Sequence, residues 1–357
     1  MASYKAELEK VQEEKKNKNI KCLIWDLDNT VWQGILLEDN HVTLRPSVLE
    51  ILQTLDDRGI LHSIASKNDH DAAIAKLKEL GIAQYFLYPE INWNSKSQSV
   101  KAIAQSLNLG IDSLAFIDDQ EFEREEVGFS IPEVLCIHAE ELQNLPDRPE
   151  FSHRFITDDS KLRRQMYLND IERNRAEKEF VGPQEEFLAT LGMKFMLQRP
   201  KEEDLKRAEE LTLRTHQLNT TGYTYSYDEL NHFRQSDRHM LLIASLDDKY
   251  GTYGKIGLAL VEMEEKFWTL KLLLMSCRVM SRGVGTIMVN HILGLARQAG
   301  MPLRAEFISN SKNRMMYITY KFGNFRVAEE RGDLTIFEND CSKIQEFPSY
   351  VDVRIQE

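Results

Sequence analysis

Residues 22–30 read Cys-Leu-Ile-Trp-Asp-Leu-Asp-Asn-Thr. A short apolar run closed by two acids predicts a buried strand with Asp26 and Asp28 at its carboxyl end. Spaced two apart, their side chains leave the same side of the strand. Carboxylates that close repel each other. They need either Lys or Arg partners or a hard cation such as Mg²⁺, held by oxygen ligands. Thr30 follows as a helix or turn cap. On a surface loop such a pattern arises by chance, but behind a buried strand it reads as functional.

The same rhythm continues to about residue 140. Strands are expected at 21–25, 60–65, 86–88, 113–117 and 134–137, with helices at 47–57, 70–80 and 97–107 between them. Alternation of this kind predicts an α/β domain, with a parallel sheet covered by helices on both faces. The ligand of such a sheet sits beyond the carboxyl ends of its strands. The reading divides the chain into a lead-in helix over 1–19, a first domain over 20–148 and a charged helical linker over 149–184. A second domain over 185–340 and a tail over 341–357 follow. The linker's charge run reads as a solvated face. In the second domain helices are expected at 203–214, 227–235 and 285–299. Strands are expected at 239–245, 254–264, 267–275 and 303–308.

A chain of 357 residues suits two domains. Its formal charge of −12 excludes nonspecific nucleic-acid binding, which needs a basic surface. An anionic substrate must then be held by local positive groups. No apolar run approaches the roughly 20 residues that span a bilayer, so no membrane partner is expected. The first ten residues carry no apolar signal core. Cys22, Cys136, Cys277 and Cys341 are scattered, with no Cys-x-x-Cys pair to suggest zinc. A reducing cytoplasm is the expected setting.

Three further signals close expected strands or open helices of the first domain. Ser66, Lys67 and Asn68 follow the second strand, Lys96 opens a helix, and Asp118-Asp119 ends another strand. Taken singly, Ser66 reads as a cap, Lys96 as a solvated cation and the acid pair as a turn. Together on one rim they can hold a phosphoryl group and neutralise its charge. Asp26 then serves as nucleophile and Asp28 as acid–base. Asp26, Asp28, Asp118 and Asp119 are the expected Mg²⁺ ligands, while Ser66, Lys67, Asn68 and Lys96 bind substrate. This ordered set resembles the haloacid dehalogenase (HAD) superfamily, whose four motifs match Asp26-Leu-Asp-Asn-Thr, Ser66, Lys96 and Asp118-Asp119. The resemblance implies a Rossmann-like domain. No large cap fits between Thr30 and Pro46 or between Ser66 and Lys96. The expected site is open, which suits a large or protein-tethered substrate.

In the second domain an apolar strand runs through Leu274-Met-Ser-Cys-Arg-Val-Met-Ser-Arg-Gly-Val-Gly into an apolar helix. Free amides at such a helix start bind phosphate oxygens. The segment resembles the acyl-CoA loop of GNAT acyltransferases and implies a GNAT-like α+β fold, with Arg282, Gly283 and Gly285 facing pyrophosphate. Met280 stands where that family has Gln or Arg, which speaks against ordinary CoA. A phosphopantetheine arm, with its single phosphodiester, is the alternative ligand, and a docking scaffold is the alternative role. His216 and the polar stretches around Asn219 and Asn313 read as capped loops beside a substrate channel.

Over nearly its whole length the chain resembles the FkbH-like proteins, a HAD phosphatase of subfamily IIIC joined to a GNAT-like domain. Trp25-Asp-Leu-Asp-Asn-Thr-Val-Trp32, Phe116-Ile-Asp-Asp-Gln-Glu-Phe-Glu-Arg124 and Leu274-Met-Ser-Cys-Arg278 carry that resemblance. It implies a glyceryl transferase/phosphatase of polyketide or nonribosomal peptide assembly. Such a protein takes 1,3-bisphosphoglycerate, removes phosphate and loads glyceryl onto the phosphopantetheine thiol of an acyl carrier protein. That chemistry needs an enzyme thiol or direct attack by the carrier thiol. Cys136 is favoured, on the strand after Asp118-Asp119, and Cys277 is the alternative. Three other readings stay open: a stand-alone phosphatase whose second domain docks a partner, a scaffold without catalysis, and an acyl-CoA N-acyltransferase.

Overall fold

The computed structural model describes residues 19–356 apart from Asn40, His153 and His216. The expected lead-in helix and the reading of His216 lie outside the described residues. The chain divides into two units, Met1–Leu168 and Asn169–Glu357.

The first unit opens with β1 (Cys22–Trp25), then a small hairpin, β2 (Trp32–Gln33) and β3 (Thr43–Leu44). There follow α1 (Val48–Asp57), β4 (Leu61–Ser66), α2 (His70–Glu79), β5 (Glu90–Ile91) and α3 (Lys96–Ser106). Then come β6 (Leu114–Asp118), α4 (Glu121–Ser130) and β7 (Leu135–His138). The sheet has the order β5-β4-β1-β6-β7, and all its pairs are parallel. Every side chain of β1, β4 and β6 is buried, as strands covered on both faces require. Val48, Ile51, Leu52 and Leu55 form the buried stripe of α1. The expected α/β reading therefore holds. The β2–β3 hairpin is the only structure in the first expected cap interval that pairs as strand among the described residues.

One expected strand differs. Residues 86–88 keep a single bridge, Phe86 to His62, and regular pairing resumes only at β5. Tyr88 adopts a left-handed φ of 48°, which breaks an extended run. Helix α4 falls in a stretch the sequence reading left without an element.

Next come α5 (Asp158–Lys161) and α6 (Arg163–Glu179), and the division between the units falls inside α6. Its charge run is not uniformly a solvated face. Arg173 is buried, and its guanidinium donates to Asp248 at 2.7 and 2.9 Å and to Asp170 at 2.6 Å. It also stacks 3.8 Å over the ring of Tyr253. A buried guanidinium is tolerated when its planar fork is met by carboxylates and an aromatic face.

The second unit continues with α7 (Gln184–Thr190), β8 (Met193–Gln198), α8 (Leu205–Arg214), α9 (Tyr227–Gln235) and β9 (His239–Asp248). Then follow β10 (Gly251–Met263), β11 (Trp268–Met275), α10 (Val284–Gln298), β12 (Leu303–Ile308) and α11 (Arg314–Phe322). Last are β13 (Arg326–Arg331), β14 (Leu334–Asn339) and β15 (Val351–Gln356). The sheet runs β13-β14-β12-β11-β10-β9-β8-β15. It is antiparallel except for β11 with β12 and β15 with β8. The expected tail over 341–357 thus ends in an edge strand, in register with β8 from Val351–Met193 to Gln356–Gln198. Among the described residues no helix is long and apolar enough to cross a membrane.

Candidate active site

Strands β1 and β6 are neighbours, so their carboxyl ends bring Asp26 and Asp118-Asp119 together. One carboxylate oxygen from each of Asp26, Asp118 and Asp119 lies within 4.8 Å of the others. Lys96, at the start of α3, turns its ammonium into this group. It donates to Asp26 Oδ1 and to the Ala65 carbonyl at 2.8 Å, and its Nζ lies 3.1 Å from Asp118 Oδ2. Lys96 is only 3% exposed. Burial works to lower its pKa, but Asp26 and Asp118 outweigh that and hold it above the ordinary lysine value. Burial, with the charge of Asp26 second, pushes the Asp118 carboxyl up to about 7. The same two causes raise Asp119.

This arrangement fits a divalent cation. The donors are all oxygen, as a hard ion prefers. Asp119 Oδ1 is buried and has no hydrogen-bond partner among the described residues. Such an orphan needs an explanation, and a bound ion supplies one. Asp26, Asp118 and Asp119 would hold the ion.

Asp28 stands apart from that triad, which narrows the expected set of four metal-binding side chains. Its Oδ1 accepts from Trp32 Nε1 at 2.8 Å and from the Leu36 amide at 3.0 Å. Its Oδ2 accepts from Asn68 Nδ2 at 3.0 Å. Three donors fix the carboxylate's direction, while burial holds its pKa above the usual range. The turn that sends Asp28 this way relies on Asn29, whose φ of 54° is left-handed and suits Asn. Thr30 is not a local cap, because its hydroxyl accepts from the Asp119 amide at 3.1 Å and ties the two acidic loops together.

The remaining expected residues divide. Ser66 is buried at the carboxyl end of β4. Asn68 acts on Asp28 as described, and Lys67 pairs with Glu123 at 2.8 Å. Arg124, to which the sequence reading gave no role, donates to the carbonyls of Asp118 and Asp119 at 2.9 and 2.8 Å. Trp32 is likewise a contributor with no role assigned beforehand. The signal for both was their place in phrases that extend the acidic motifs. Cys136 lies level with Phe116, two residues short of the level of Asp118. That is about 7 Å below the rim at the usual rise per strand residue. Its sulfur faces α4, 3.9 Å from where a Cβ on Gly128 would stand. The structure therefore sets Cys136 against a helix, where the sequence reading expected it at the crevice. Cys22 is wholly buried, and burial pushes its thiol up.

In the second unit Cys277 opens a short 3₁₀ turn after β11. Gly283 precedes α10 with φ 79°. A Cβ there would stand 3.0 Å from both Pro348 Cγ and Tyr350 Oη, so these two residues crowd the chain at Gly283. Gly285 is hemmed in by Met275 and Thr319. Arg282 is buried and donates to Glu177 at 3.1 Å. The structure thus crowds Gly283 and Gly285 of the expected pyrophosphate loop and buries Arg282, whose Nε and Nη1 have no hydrogen-bond partner among the described residues. The polar loops are capped as expected: Asn219 Oδ1 accepts from the Thr221 and Gly222 amides at 3.1 and 2.9 Å.

No protein-family model matches the chain, and no curated protein matches it. Among solved structures, the chain is similar to the N-terminal part of BF1531 from Bacteroides fragilis, containing a phosphatase domain and complexed with Mg. Identity is 28% over 44% of this chain and 42% of that chain, with a TM-score of 0.30. The protein thus spans less than half the length of that chain. It is also similar to the ribosomal-protein-S18-alanine N-acetyltransferase of Escherichia coli, at 16% identity over 40% of this chain and 92% of that one, TM-score 0.33. A GNAT-family acetyltransferase from Streptococcus pneumoniae matches at 16% identity over 41% and 98%, TM-score 0.33.

Proposed function

We propose that this protein is a Mg²⁺-dependent phosphatase that works on a phosphorylated acyl donor and passes the acyl group to a thiol. The observation that carries the phosphatase half is the Asp26, Asp118 and Asp119 triad, with its orphaned oxygen beside the buried Lys96. When bound, Mg²⁺ supplies charge that offsets the carboxylates and the phosphoryl oxygens. Asp26 attacks phosphorus, and the bond from phosphorus to the leaving oxygen breaks as Asp28 gives that oxygen a proton. Asp28 then takes a proton from the water that opens the phosphoaspartate, and inorganic phosphate leaves. Trp32, the Leu36 amide and Asn68 keep Asp28 aimed through both steps.

In the finer reading the donor is 1,3-bisphosphoglycerate and the acceptor is the phosphopantetheine thiol of an acyl carrier protein. The thiolate attacks the acyl carbon, a C–S bond forms, and the C–O bond to phosphate breaks with phosphate as leaving group. The monoester phosphate is removed at Asp26. Support comes from the extended phrases around Trp32, Arg124 and Arg278 and from the small β2–β3 hairpin in the interval where a large cap would stand. The position of Cys136 against α4 favours direct attack by the carrier thiol over an enzyme thioester. A stand-alone phosphatase is the second reading, favoured by the crowded loop at Gly283.

The test mixes the protein with Mg²⁺, 1,3-bisphosphoglycerate and a candidate carrier bearing its arm, and weighs the intact carrier. A glyceryl adduct that survives Cys136→Ala and disappears with Asp26→Asn is the expected result. Fast phosphate release with an unchanged carrier mass would leave the stand-alone phosphatase.

A further inference from the structure

We infer that the second unit is closed by two segments of its own chain and does not take a CoA or pantetheine thioester. This stands independently of the function proposed for the first unit.

The first segment fills a gap in the sheet. Strands β11 and β12 pair only from Trp268–Leu303 to Leu270–Ala305 and then part. Beyond that point their facing amides and carbonyls need partners. An extended ligand with amide groups could supply them, by the same logic that lets a peptide add to a strand edge. Here residues 218–220 supply them instead. The Met275 amide donates to the Leu218 carbonyl at 2.8 Å, and the Thr220 amide to the Leu273 carbonyl at 3.1 Å. The Leu273 amide donates to the Thr220 hydroxyl at 3.1 Å. On the other side the Ile308 amide donates to the Thr220 carbonyl at 2.9 Å. Asn219, Thr220 and Asn313 are each 0% exposed. Asn313 Nδ2 clamps the insert by donating to the carbonyls of Asn219 and Ile308 at 3.1 and 2.8 Å. The insert thus holds groups of both strands that a ligand's amide chain would otherwise meet.

The second segment crowds the amino end of α10 at Gly283. Free amides there would ordinarily favour an anion. Pro348 and Tyr350 stand against Gly283, so closely that one added carbon would meet both at 3.0 Å. Arg282 of this loop is buried and donates through Nη2 to Glu177 at 3.1 Å, while its Nε and Nη1 have no hydrogen-bond partner among the described residues. A phosphodiester approaching Gly283 on that side meets Pro348 and Tyr350. The two closures are separate in sequence and act on the two parts such a ligand would need: its amide chain and its phosphate.

Hydrogen exchange on the full-length protein tests the inference. Slow exchange at the Leu273, Met275 and Ile308 amides is expected, unchanged by about 1 mM CoA, with no saturable heat in a parallel titration. Asn313→Ala, which removes the clamp, is expected to speed exchange at those amides at least about tenfold. It should leave Mg²⁺-dependent phosphate release unaltered. Saturable CoA binding by the unmodified protein that changes exchange at the Leu273, Met275 or Ile308 amides would overturn the inference. So would exchange at these amides as fast as on an open strand edge, or no response to Asn313→Ala in a folded variant.

Discussion

The carboxyl of Asp118 sits near pH 7 because burial and the neighbouring charge of Asp26 both disfavour its ionisation. Its folded pKa thus lies above its unfolded one. The folded state holds a proton that the unfolded state has already lost, so this group makes the metal-free protein less stable as pH rises from about 4 to about 7. A divalent cation competes with that proton and benefits from the ionised form. The rise in melting temperature on adding Mg²⁺ should therefore be several degrees larger at about pH 8 than at about pH 5. Thermal scans at the two pH values check this, and an equal or reversed increment would detach Asp118 from the metal. The sequence reading made the nearby Asp28 both acid–base and metal ligand, and spacing alone could not show that its carboxylate lies outside the oxygen triad. The sequence places it two residues after Asp26, yet three donors from the hairpin, the following loop and Asn68 turn it away from the triad.

The elements were legible where local pattern decided them. β1 and β6 are short apolar runs ending in acids, and α1 carries its apolar residues at helical spacing, so both periods could be read directly. What escaped depended on distant partners. β15 shows the alternation Val351, Val353, Ile355, but a lone strand near the chain end is stable only against β8, 158 residues away in sequence. Helix α4 is dominated by acids with two exposed phenylalanines, so it offers almost no apolar stripe. The loop before α10 was read correctly as strand, glycine loop and helix, yet nothing local told which way Arg282 would turn. Arg173 is the corresponding case in α6, a cation in a charged helix that proves to be buried against Asp248 and Asp170. Arg173→Met should cost about 3–5 kcal/mol, since it strands a buried carboxylate. Urea unfolding would measure it, and a loss under about 1 kcal/mol would place this ion pair among the weak surface ones.

At the scale of the whole molecule the chain is two folded units with a net charge of −12. A protein this acidic repels an anionic substrate at long range, and only local cations reverse that at the site. Lys96 is committed to Asp26 and Asp118, so the balance falls to a metal. That makes Asp26 as a metal-assisted nucleophile the central claim. Its most direct measurement is to quench the full-length protein during turnover of a phosphate ester and map the bound phosphate by peptide mass spectrometry. The account predicts a phosphoryl group on Asp26, formed only with Mg²⁺ and absent from Asp26→Asn. A phosphoryl group on another residue, or full turnover by Asp26→Asn, would contradict it.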